Sequence, residues 1–448
     1  MFRRDLLKGL GAGGALALAA AQSLSARAAT ALPVTQVGAL DLNQLPVIDV
    51  HVHQPADMTD GAENSIWNDD FTNALLPPSA QAPGDPLKTR VLEQFRQHFD
   101  RMPREIGMRN YVARVYGVEP TAAGFNSIVA AHVGKDYSAY YRSVMDREKV
   151  PAILLQSNDQ VPVRPKSLVP NDRFEWSFNI GPLLQPSWAK EKGIRDIGRF
   201  EETLLDIFDQ AAKNGARGIK IPIAYYRPIA VDMTVERATA DRDLKAMLAA
   251  PAAAMTRGHA DAPIYSDPAL TRALRSYQDY LLKRLYVKAG QVGLRIIIHS
   301  AVALHPALRE DFNDPTGLYF VFQDPDVRRA DTQFVIIHTG YPHHHLVAAF
   351  LSQFPNVYAD LSFYANFPGV LEETLRVFLA LAPSEKVMHG SDWSTPETLG
   401  YCAYNVRQVL AKILNDYRSS YGWSEKDCET MARNVLSENA RRVYNIKL

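Results

Sequence analysis

The stretch Val47-Ile48-Asp49-Val50-His51-Val52-His53 decides the fold. Its apolar, β-branched character is typical of a buried strand. Residues two apart on a strand point to the same side, so His51 and His53 present two imidazoles side by side. Neutral imidazole binds Zn, Fe, Ni or Cu, although a His-x-His pair alone is a weak signal. The stretch predicts a strand that ends in two metal ligands.

Other apolar runs end in the same way. Two of them lead directly into His299 and His338, and a third leads through His389-Gly390-Ser391 to Asp392. In a parallel barrel the carboxyl ends of all strands meet at one rim, where such enzymes place their active sites. A catalytic zinc uses about three protein ligands and keeps one position for water. Four histidines and an aspartate on one rim therefore predict a metal site.

Short apolar runs alternate with amphipathic stretches along the chain, which is the pattern of repeated βα units. The clearest helix covers Phe200 to Asn214, with its apolar residues on one stripe. The predicted strands are Val47–Val50, Pro151–Gln156, Glu175–Ile180, Gly218–Ile223, Leu294–Ile298, Phe334–Ile337, Val357–Asp360 and Lys386–Met388. Eight strands predict an α/β fold, a (β/α)₈ TIM barrel, with an open doubly wound sheet as the alternative.

Two long segments interrupt this repeat. Gln54 to about Arg104 follows strand one, and Pro228 to about Pro268 follows strand four. Both leave carboxyl ends of strands, so we expect them at the mouth of the barrel as lids or pocket walls. Packing against the outside of the barrel is the alternative.

The rim residues resemble the amidohydrolase superfamily, in its amidohydrolase-related (amidohydrolase 2) branch. The matching residues are His51-Val52-His53, His299, His338, His389-Gly390-Ser391-Asp392-Trp393 and the stretch from Asn434 to Tyr444. A narrower likeness is to the nodulin-like domain that some proteins carry fused to a glutamine-synthetase-like module. It is carried by Val115-Tyr116-Gly117, Ile219 to Arg227, His338-Thr339-Gly340-Tyr341-Pro342, Pro355 to Asp360 and Leu381 to Lys386.

The resemblance implies that His51, His53, His299 and Asp392 bind a divalent metal, most simply zinc. A metal-bound water becomes hydroxide near neutral pH. Asp392 is then expected to accept the water's proton and pass it to the leaving group. His338 is expected to polarise the substrate carbonyl, orient the water or bind a second metal, with an outer contact to a ligand as the alternative.

Lys220 lies in the predicted fourth strand, where some relatives carry a carbamylated lysine that bridges two metals. The resemblance therefore leaves one or two ions open. An unmodified Lys220 would bind a substrate carboxylate or oxyanion, or would simply line the barrel wall.

Four further residues are weaker candidates for substrate binding. Arg227 leaves strand four and offers a fork for a carboxylate. Tyr341, Tyr364 and Trp393 follow strands six, seven and eight and are candidates for the pocket wall, with ordinary packing as the alternative. Among His343-His344-His345, one is expected to line the pocket and the others to be solvated, and His389 is expected to have a structural role.

The N-terminal 28 residues are predicted to be a twin-arginine signal peptide, and residues 29–448 the metal-dependent hydrolase barrel. Arg3-Arg4 precede an apolar segment, Gly9 to Ala21, and then Ala26-Arg27-Ala28, the small-residue pattern that a signal peptidase reads. An uncleaved anchor helix is the alternative. A periplasmic or otherwise exported protein, without stable membrane insertion after processing, is expected.

The chain has equal numbers of basic and acidic residues, 49 of each. This balance gives no broad electrostatic reason to bind nucleic acid, so a small-molecule substrate is expected. Its two cysteines, Cys402 and Cys428, are too few for a disulfide scaffold, although they could form one bond. The sequence does not determine the oligomeric state.

The favoured function is hydrolysis of an amide, lactam, lactone or ester by metal-activated water. The second possibility is a metal-dependent, non-oxidative decarboxylase of an unsaturated or aromatic acid. The third is an inert barrel with a binding role, which the complete set of histidines and aspartate argues against.

Overall fold

The computed structural model describes residues 40–53, 76, 78–82, 84–99, 101–132, 136–159, 161–251, 255–257, 264–265, 267–303 and 308–447. The predicted signal peptide and the first part of the insertion after strand one lie outside these residues. Eight parallel strands form one sheet in the order β1-β2-β3-β4-β7-β8-β9-β10. They are β1 (Asp49–His53), β2 (Ile153–Ser157), β3 (Phe174–Asn179), β4 (Gly218–Ile221), β7 (Arg295–His299), β8 (Phe334–Ile337), β9 (Val357–Asp360) and β10 (Val387–Met388).

The sheet curves until its first and last strands meet. Val52 of β1 forms a parallel bridge with Trp393, just after β10. The His53 N–H donates to the Trp393 carbonyl at 3.1 Å, and the Asp392 N–H donates to the His51 carbonyl at 2.8 Å. This contact between first and last strands, the seam, confirms the TIM barrel and excludes the open sheet. The first strand runs further than predicted, to His53, because it pairs with both β2 and the segment after β10.

The helices pack around the barrel. They are α1 (Pro86–Phe99), α2 (Pro103–Tyr116), α3 (Ala122–His132), α4 (Tyr137–Arg147), α5 (Pro186–Glu191), α6 (Ile197–Lys213), α7 (Arg237–Ala249), α8 (Pro268–Gln291), α9 (Glu310–Asn313), α10 (Leu318–Gln323), α11 (Pro325–Arg329), α12 (His344–Gln353), α13 (Pro368–Leu381), α14 (Pro396–Tyr421), α15 (Glu425–Arg433) and α16 (Asn439–Tyr444). The predicted helix is α6; Asp196 caps its N-terminus by accepting from the Arg199 N–H at 2.9 Å. A π-helical turn, Asn434–Glu438, joins α15 to α16.

The helices in and after the two insertions pack against different outer helices of the barrel. The described part of the first includes α1, and α2 follows it and contacts α14. The second contains α7 and a short hairpin of β5 (Met255–Arg257) and β6 (Ile264–Tyr265). Helix α7 packs against the outer helices α5, α6 and α8. This packing favours the alternative of an insertion outside the barrel over a pocket wall.

The barrel interior is apolar below the rim. Val50, Leu154, Ile297, Val335 and Ile337 belong to one buried cluster, each at most 1% exposed. Alternation along the strands then brings polar side chains to the next interior level, at the carboxyl ends. The site therefore stands on a packed floor rather than over a channel.

Two predictions outside the site can also be compared with the structure. Both Cys402 and Cys428 are buried and free, so the possible disulfide does not form. Along the part of the chain that the structure describes, none of the helices has the length and hydropathy needed to span a bilayer.

Candidate metal centre

The centre lies across the seam of the barrel. His51 and His53 come from β1, and Asp392 follows β10. The Nε2 atoms of His51 and His53 each lie 3.0 Å from Asp392 Oδ1. One donor atom from each of the three side chains lies within 4.8 Å of the other two. The His51 side chain is 2% exposed and that of His53 is 40% exposed, so this group opens to solvent on one side.

Two more histidines extend the group along the rim. The His338 ring lies 5.2 Å from that of His51, and the His299 ring lies 4.6 Å from that of His338. Both His299 nitrogens are buried without a hydrogen-bond partner among the described residues. The structure thus brings His51, His53 and Asp392 together most closely. His338 lies next to His51 around the rim, and His299 lies beyond His338.

The charges of these groups match those of metal ligands. Burial, with the nearby Lys220 ammonium, lowers the pKa of His51 to about 3. Burial also lowers the pKa of His299 and of His338 well below the usual range. Burial alone would raise the pKa of Asp392, but His338 and hydrogen bonds from His51 and His53 hold it well below its usual range. The neutral imidazoles of His51, His299 and His338 therefore face an ionised carboxylate, and these are the states in which such side chains bind a metal.

Lys220 lies beside the same group of histidines, on the inner face of the barrel. It stands on β4 opposite Ile297 of β7, two residues before His299, so alternation places it on the inner face. It is 4% exposed, and its Nζ lies 3.4 Å from His51 Nε2. Burial lowers the pKa of Lys220 to about 8, although Asp392 and Asp360 oppose this shift. This ammonium is thus held beside the predicted ligands and loses its proton more easily than an exposed lysine.

The backbone around the site is unusual for residues other than glycine. Asp392 has a φ of 64°, His338 and Thr339 each have a φ of 59°, and Phe363 has a φ of 62°. Each such conformation costs about 1–3 kcal/mol and persists only where the surrounding contacts fix it. Asp49 makes two of the contacts that fix the backbone before Asp392. Its Oδ1 accepts the His51 N–H at 3.1 Å and the Ser391 N–H at 2.9 Å, which ties the turn before Asp392 to β1.

Gly390 allows this close packing. A Cβ at Gly390 would lie 2.8 Å from Ser362 Cβ and 3.3 Å from His51 Cβ. The segment between β10 and Asp392 therefore fits against both neighbours only because position 390 has no side chain.

The weaker candidates for substrate binding lie in different surroundings. Arg227 is 2% exposed and forms an ion pair with Asp279, which is equally buried. Its remaining N–H groups donate to the carbonyls of Pro228, Ala230 and Arg275. These contacts use the guanidinium within the fold, and they do not support a carboxylate-binding role.

Aromatic rings line the rim after β8 and β9, the sixth and seventh strands of the barrel. Tyr341 packs 4.7 Å from the ring of Tyr364, and Phe363 lies 6.5 Å from His338. Trp393 instead faces the first insertion, with the Arg104 guanidinium 4.1 Å above its ring. Tyr341 is thus placed beside the site, whereas Trp393 is covered on one face by α2.

The other conspicuous histidines are mostly structural. His344 is 4% exposed and stacks on Tyr341 at 5.8 Å, while His345 is exposed. His389 is fully buried, and its two ring nitrogens have no hydrogen-bond partner in the described ranges. Burial lowers the pKa of His389 to about 3, so this residue is a neutral core side chain.

The sequence pattern does not single out two polar residues of the site. Asp360 ends β9, and Ser362 follows it; both are fully buried beside His338. Their signal was an aspartate that closes an apolar strand, as Asp392 does after β10. A single Asp-x-Ser after a strand is too common to be read as a site on its own.

The donor set fits a divalent metal. Two imidazoles and a carboxylate, with further imidazoles nearby, are ligands suited to zinc and its neighbours in the transition series. The buried His299 nitrogens support this interpretation, because they have no hydrogen-bond partner among the described residues and their ring lies 4.6 Å from that of His338, beside the donor set.

Comparison with known proteins agrees with the geometry. The model of a family described as amidohydrolase matches residues 193–446, more than half of the chain. The chain is 25% identical over 284 residues to Protein fluG of Emericella nidulans, a match that covers 59% of this chain and 30% of that protein. The chain thus spans less than a third of the length of this curated relative.

Solved structures share the fold. A protein of Lactobacillus casei described as a candidate metal-dependent hydrolase has a TM-score of 0.64 at 16% identity, with 91% of this chain and 98% of that chain covered. Uronate isomerase of Thermotoga maritima has a TM-score of 0.63 at 11% identity, with 90% and 95% covered. Glucuronate isomerase of Caulobacter crescentus has a TM-score of 0.59 at 13% identity, with 91% and 92% covered. At these identities the likeness establishes the fold alone.

Proposed function

Because this chain belongs to the amidohydrolase family, we propose that it is a metal-dependent hydrolase of an amide, lactam, lactone or ester bond in a small molecule. The observation that carries the proposal is the meeting of His51 Nε2, His53 Nε2 and Asp392 Oδ1 at the open end of the barrel. Zinc is the ion proposed, because this borderline donor set is typical of zinc hydrolases.

The residues of the centre would have two roles, metal binding and proton transfer. His51, His53 and Asp392 Oδ1 would hold the ion, with His299 as a further ligand. A divalent ion bound here supplies a water of lowered pKa and polarises the substrate carbonyl. Asp392 Oδ2 is the carboxylate oxygen that the two β1 imidazoles leave aside, and it lies 3.7 Å from His338 Nδ1. We assign to this oxygen the acceptance of the nucleophile's proton and its later return to the leaving group.

Lys220 offers two uses that differ in the number of ions. With its pKa lowered to about 8, a sizeable neutral fraction exists near neutral pH, and a neutral amine is the form that carbon dioxide carbamylates. A carbamylated Lys220 would hold a second ion together with His299 and His338. An unmodified Lys220 would place its ammonium against a substrate carboxylate or oxyanion.

The test begins with elemental analysis of purified protein. We expect about one or two equivalents of metal for the wild type and none for the variant with His51→Ala and His53→Ala. The matched control is His345→Ala, which removes an exposed imidazole outside the group and should keep the metal. Full metal in the double variant would remove the basis of the proposal. An intact-mass measurement without acid shows whether Lys220 carries the added carboxylate and so distinguishes one ion from two.

Turnover is tested on a panel of lactones, lactams, amides and aryl esters, with zinc restored to stripped protein. The Asp392→Asn variant should keep its fold but lose turnover. An active Asp392→Asn variant would show that the proton acceptor lies elsewhere.

A second candidate, non-oxidative decarboxylation of an aromatic or unsaturated acid, is favoured by the aromatic wall at the rim. Tyr341, Phe363 and Tyr364 belong to one cluster that adjoins His338. Carbon dioxide release from such acids, without hydrolysis of any member of the panel, would favour this candidate.

We also propose that the protein is exported by the twin-arginine route. Arg3-Arg4, the apolar segment from Gly9 to Ala21 and the Ala26-Arg27-Ala28 pattern support this. This route moves folded proteins, which suits a protein that acquires its metal before export.

A further inference from the structure

Behind His338 lies a short chain of buried hydrogen bonds. Ser362 Oγ is 2.8 Å from His338 Nδ1 and 2.5 Å from Asp360 Oδ1. The same Asp360 oxygen accepts the His338 N–H at 2.9 Å and the Ser362 N–H at 3.0 Å. All three side chains are at most 2% exposed, so water does not compete for these contacts.

The direction of each hydrogen bond follows from counting protons. Asp360 Oδ1 already accepts two backbone N–H groups, so this oxygen is an acceptor and carries no proton of its own. Ser362 must therefore donate its single hydroxyl proton to Asp360. One lone pair of Ser362 Oγ accepts the His338 backbone N–H at 3.3 Å, and the other remains to accept a hydrogen bond from the protonated Nδ1 of His338. Hence neutral His338 carries its proton on Nδ1, and Nε2 is bare.

The position of Ser362 is constrained from two further sides. The Gly390 backbone packs closely against it, since a Cβ added at position 390 would lie 2.8 Å from Ser362 Cβ. The next residue, Phe363, has a φ of 62°, which turns the chain away from the strand. Ser362 is thus held where its hydroxyl reaches both partners, and no residue on β8 itself is needed to orient the ring.

We propose that Asp360 and Ser362 are positioning residues that fix His338 as the Nδ1–H tautomer. This inference rests on the proposed function for its catalytic meaning. A neutral His338 with a bare Nε2 accepts a hydrogen bond or binds a second ion, but it cannot donate to a substrate carbonyl. Of the roles expected from the sequence, carbonyl polarisation is thereby excluded, and orienting the water or binding a second ion remain.

The tautomer can be measured without substrate or metal. We would record nitrogen NMR spectra of the metal-free protein, labelled with ¹⁵N-histidine, at pH 8 and assign His338 by comparison with His338→Gln. We expect a protonated Nδ1 and an unprotonated Nε2. Ser362→Ala should give a mixture of tautomers. Asp360→Asn is the matched control, because its amide keeps an acceptor oxygen, and it should keep the wild-type tautomer.

A wild-type signal with the proton on Nε2, or on both nitrogens, would overturn the proposal, as would an unchanged tautomer in Ser362→Ala. With a substrate in hand, Ser362→Ala should lower kcat about 10- to 100-fold with little change in KM or in bound metal, the usual cost of removing an outer-shell partner. Ser362→Thr, which restores the hydroxyl, should recover the tautomer. If the spectra agree but no hydrolysis is found, the proposed function fails while the positioning role stands.

Discussion

The buried pair of Arg227 and Asp279 gives the most direct prediction. Both side chains are 2% exposed. Removal of one member of a buried ion pair leaves an uncompensated charge and costs about 3–5 kcal/mol. Arg275 Nε lies 3.7 Å from the other Asp279 oxygen, and the Asp232 N–H donates to that oxygen at 3.0 Å. This partial compensation places the expected loss for Arg227→Met near the lower end, about 3 kcal/mol.

The loss of unfolding free energy in Arg227→Met should depend on pH. Burial raises the pKa of Asp279 even beside Arg227, and removal of the guanidinium will raise this pKa further. A group whose folded pKa is raised contributes stability at low pH that is lost as pH rises through that pKa. The penalty of Arg227→Met should therefore be smaller at pH 5 than at pH 8.

Urea unfolding at both pH values measures the free energy of unfolding. The double variant with Arg227→Met and Asp279→Leu is the control, and it should recover most of the loss because no charge stays buried. KM should change little in either variant. A tenfold rise in KM with unchanged stability would refute the structural role and return Arg227 to the substrate.

Three further predictions concern Gly390, His389 and the Arg3-Arg4 pair. Gly390→Ala should weaken metal binding and destabilise the protein by about 1–3 kcal/mol, because the new methyl group meets Ser362 and His51; calorimetry with zinc checks this, and wild-type affinity would contradict it. Because the pKa of His389 is lowered to about 3, its unfolded form binds a proton first and stability falls as pH drops below about 6.5. His389→Leu should reduce that slope by up to about 1.4 kcal/mol per pH unit in acid unfolding, and an equal slope would count against it. Replacement of Arg3-Arg4 by two lysines should leave the precursor in the cytoplasm, as fractionation would show; continued export would rule out the twin-arginine route.

The fold could be predicted from the sequence because parallel barrel strands are buried on both faces. Such strands appear as unbroken apolar runs, and their ends are marked by the first polar residue that faces the cavity. This is why His299 and His338, each directly after a run of isoleucine and valine, could be placed on the rim. The strand boundaries differ by up to three residues because pairing, not composition, decides where a strand ends.

Contacts between segments that are distant in the chain could not be predicted from the sequence. The partner of Arg227 is Asp279, on helix α8 and 52 residues away, so the sequence alone leaves the arginine available for substrate. A role for Ser362 could not be predicted either, because its contact with His338 depends on the pairing of β8 with β9. In each case the local residue types were compatible with several roles, and the geometry of a second element selected one.

The seam has a consequence for how the protein is made. Ligands that touch across it are 339 positions apart in the chain, so the early strand leaves the ribosome long before its carboxylate partner has been synthesised. Until then, the two imidazoles of that strand have neither the aspartate nor the opposing edge. The centre therefore assembles only after Asp392 has been synthesised, and a fragment that ends before β10 cannot form it. An ion bound at this place would mark a chain in which the first and last strands of the barrel have met.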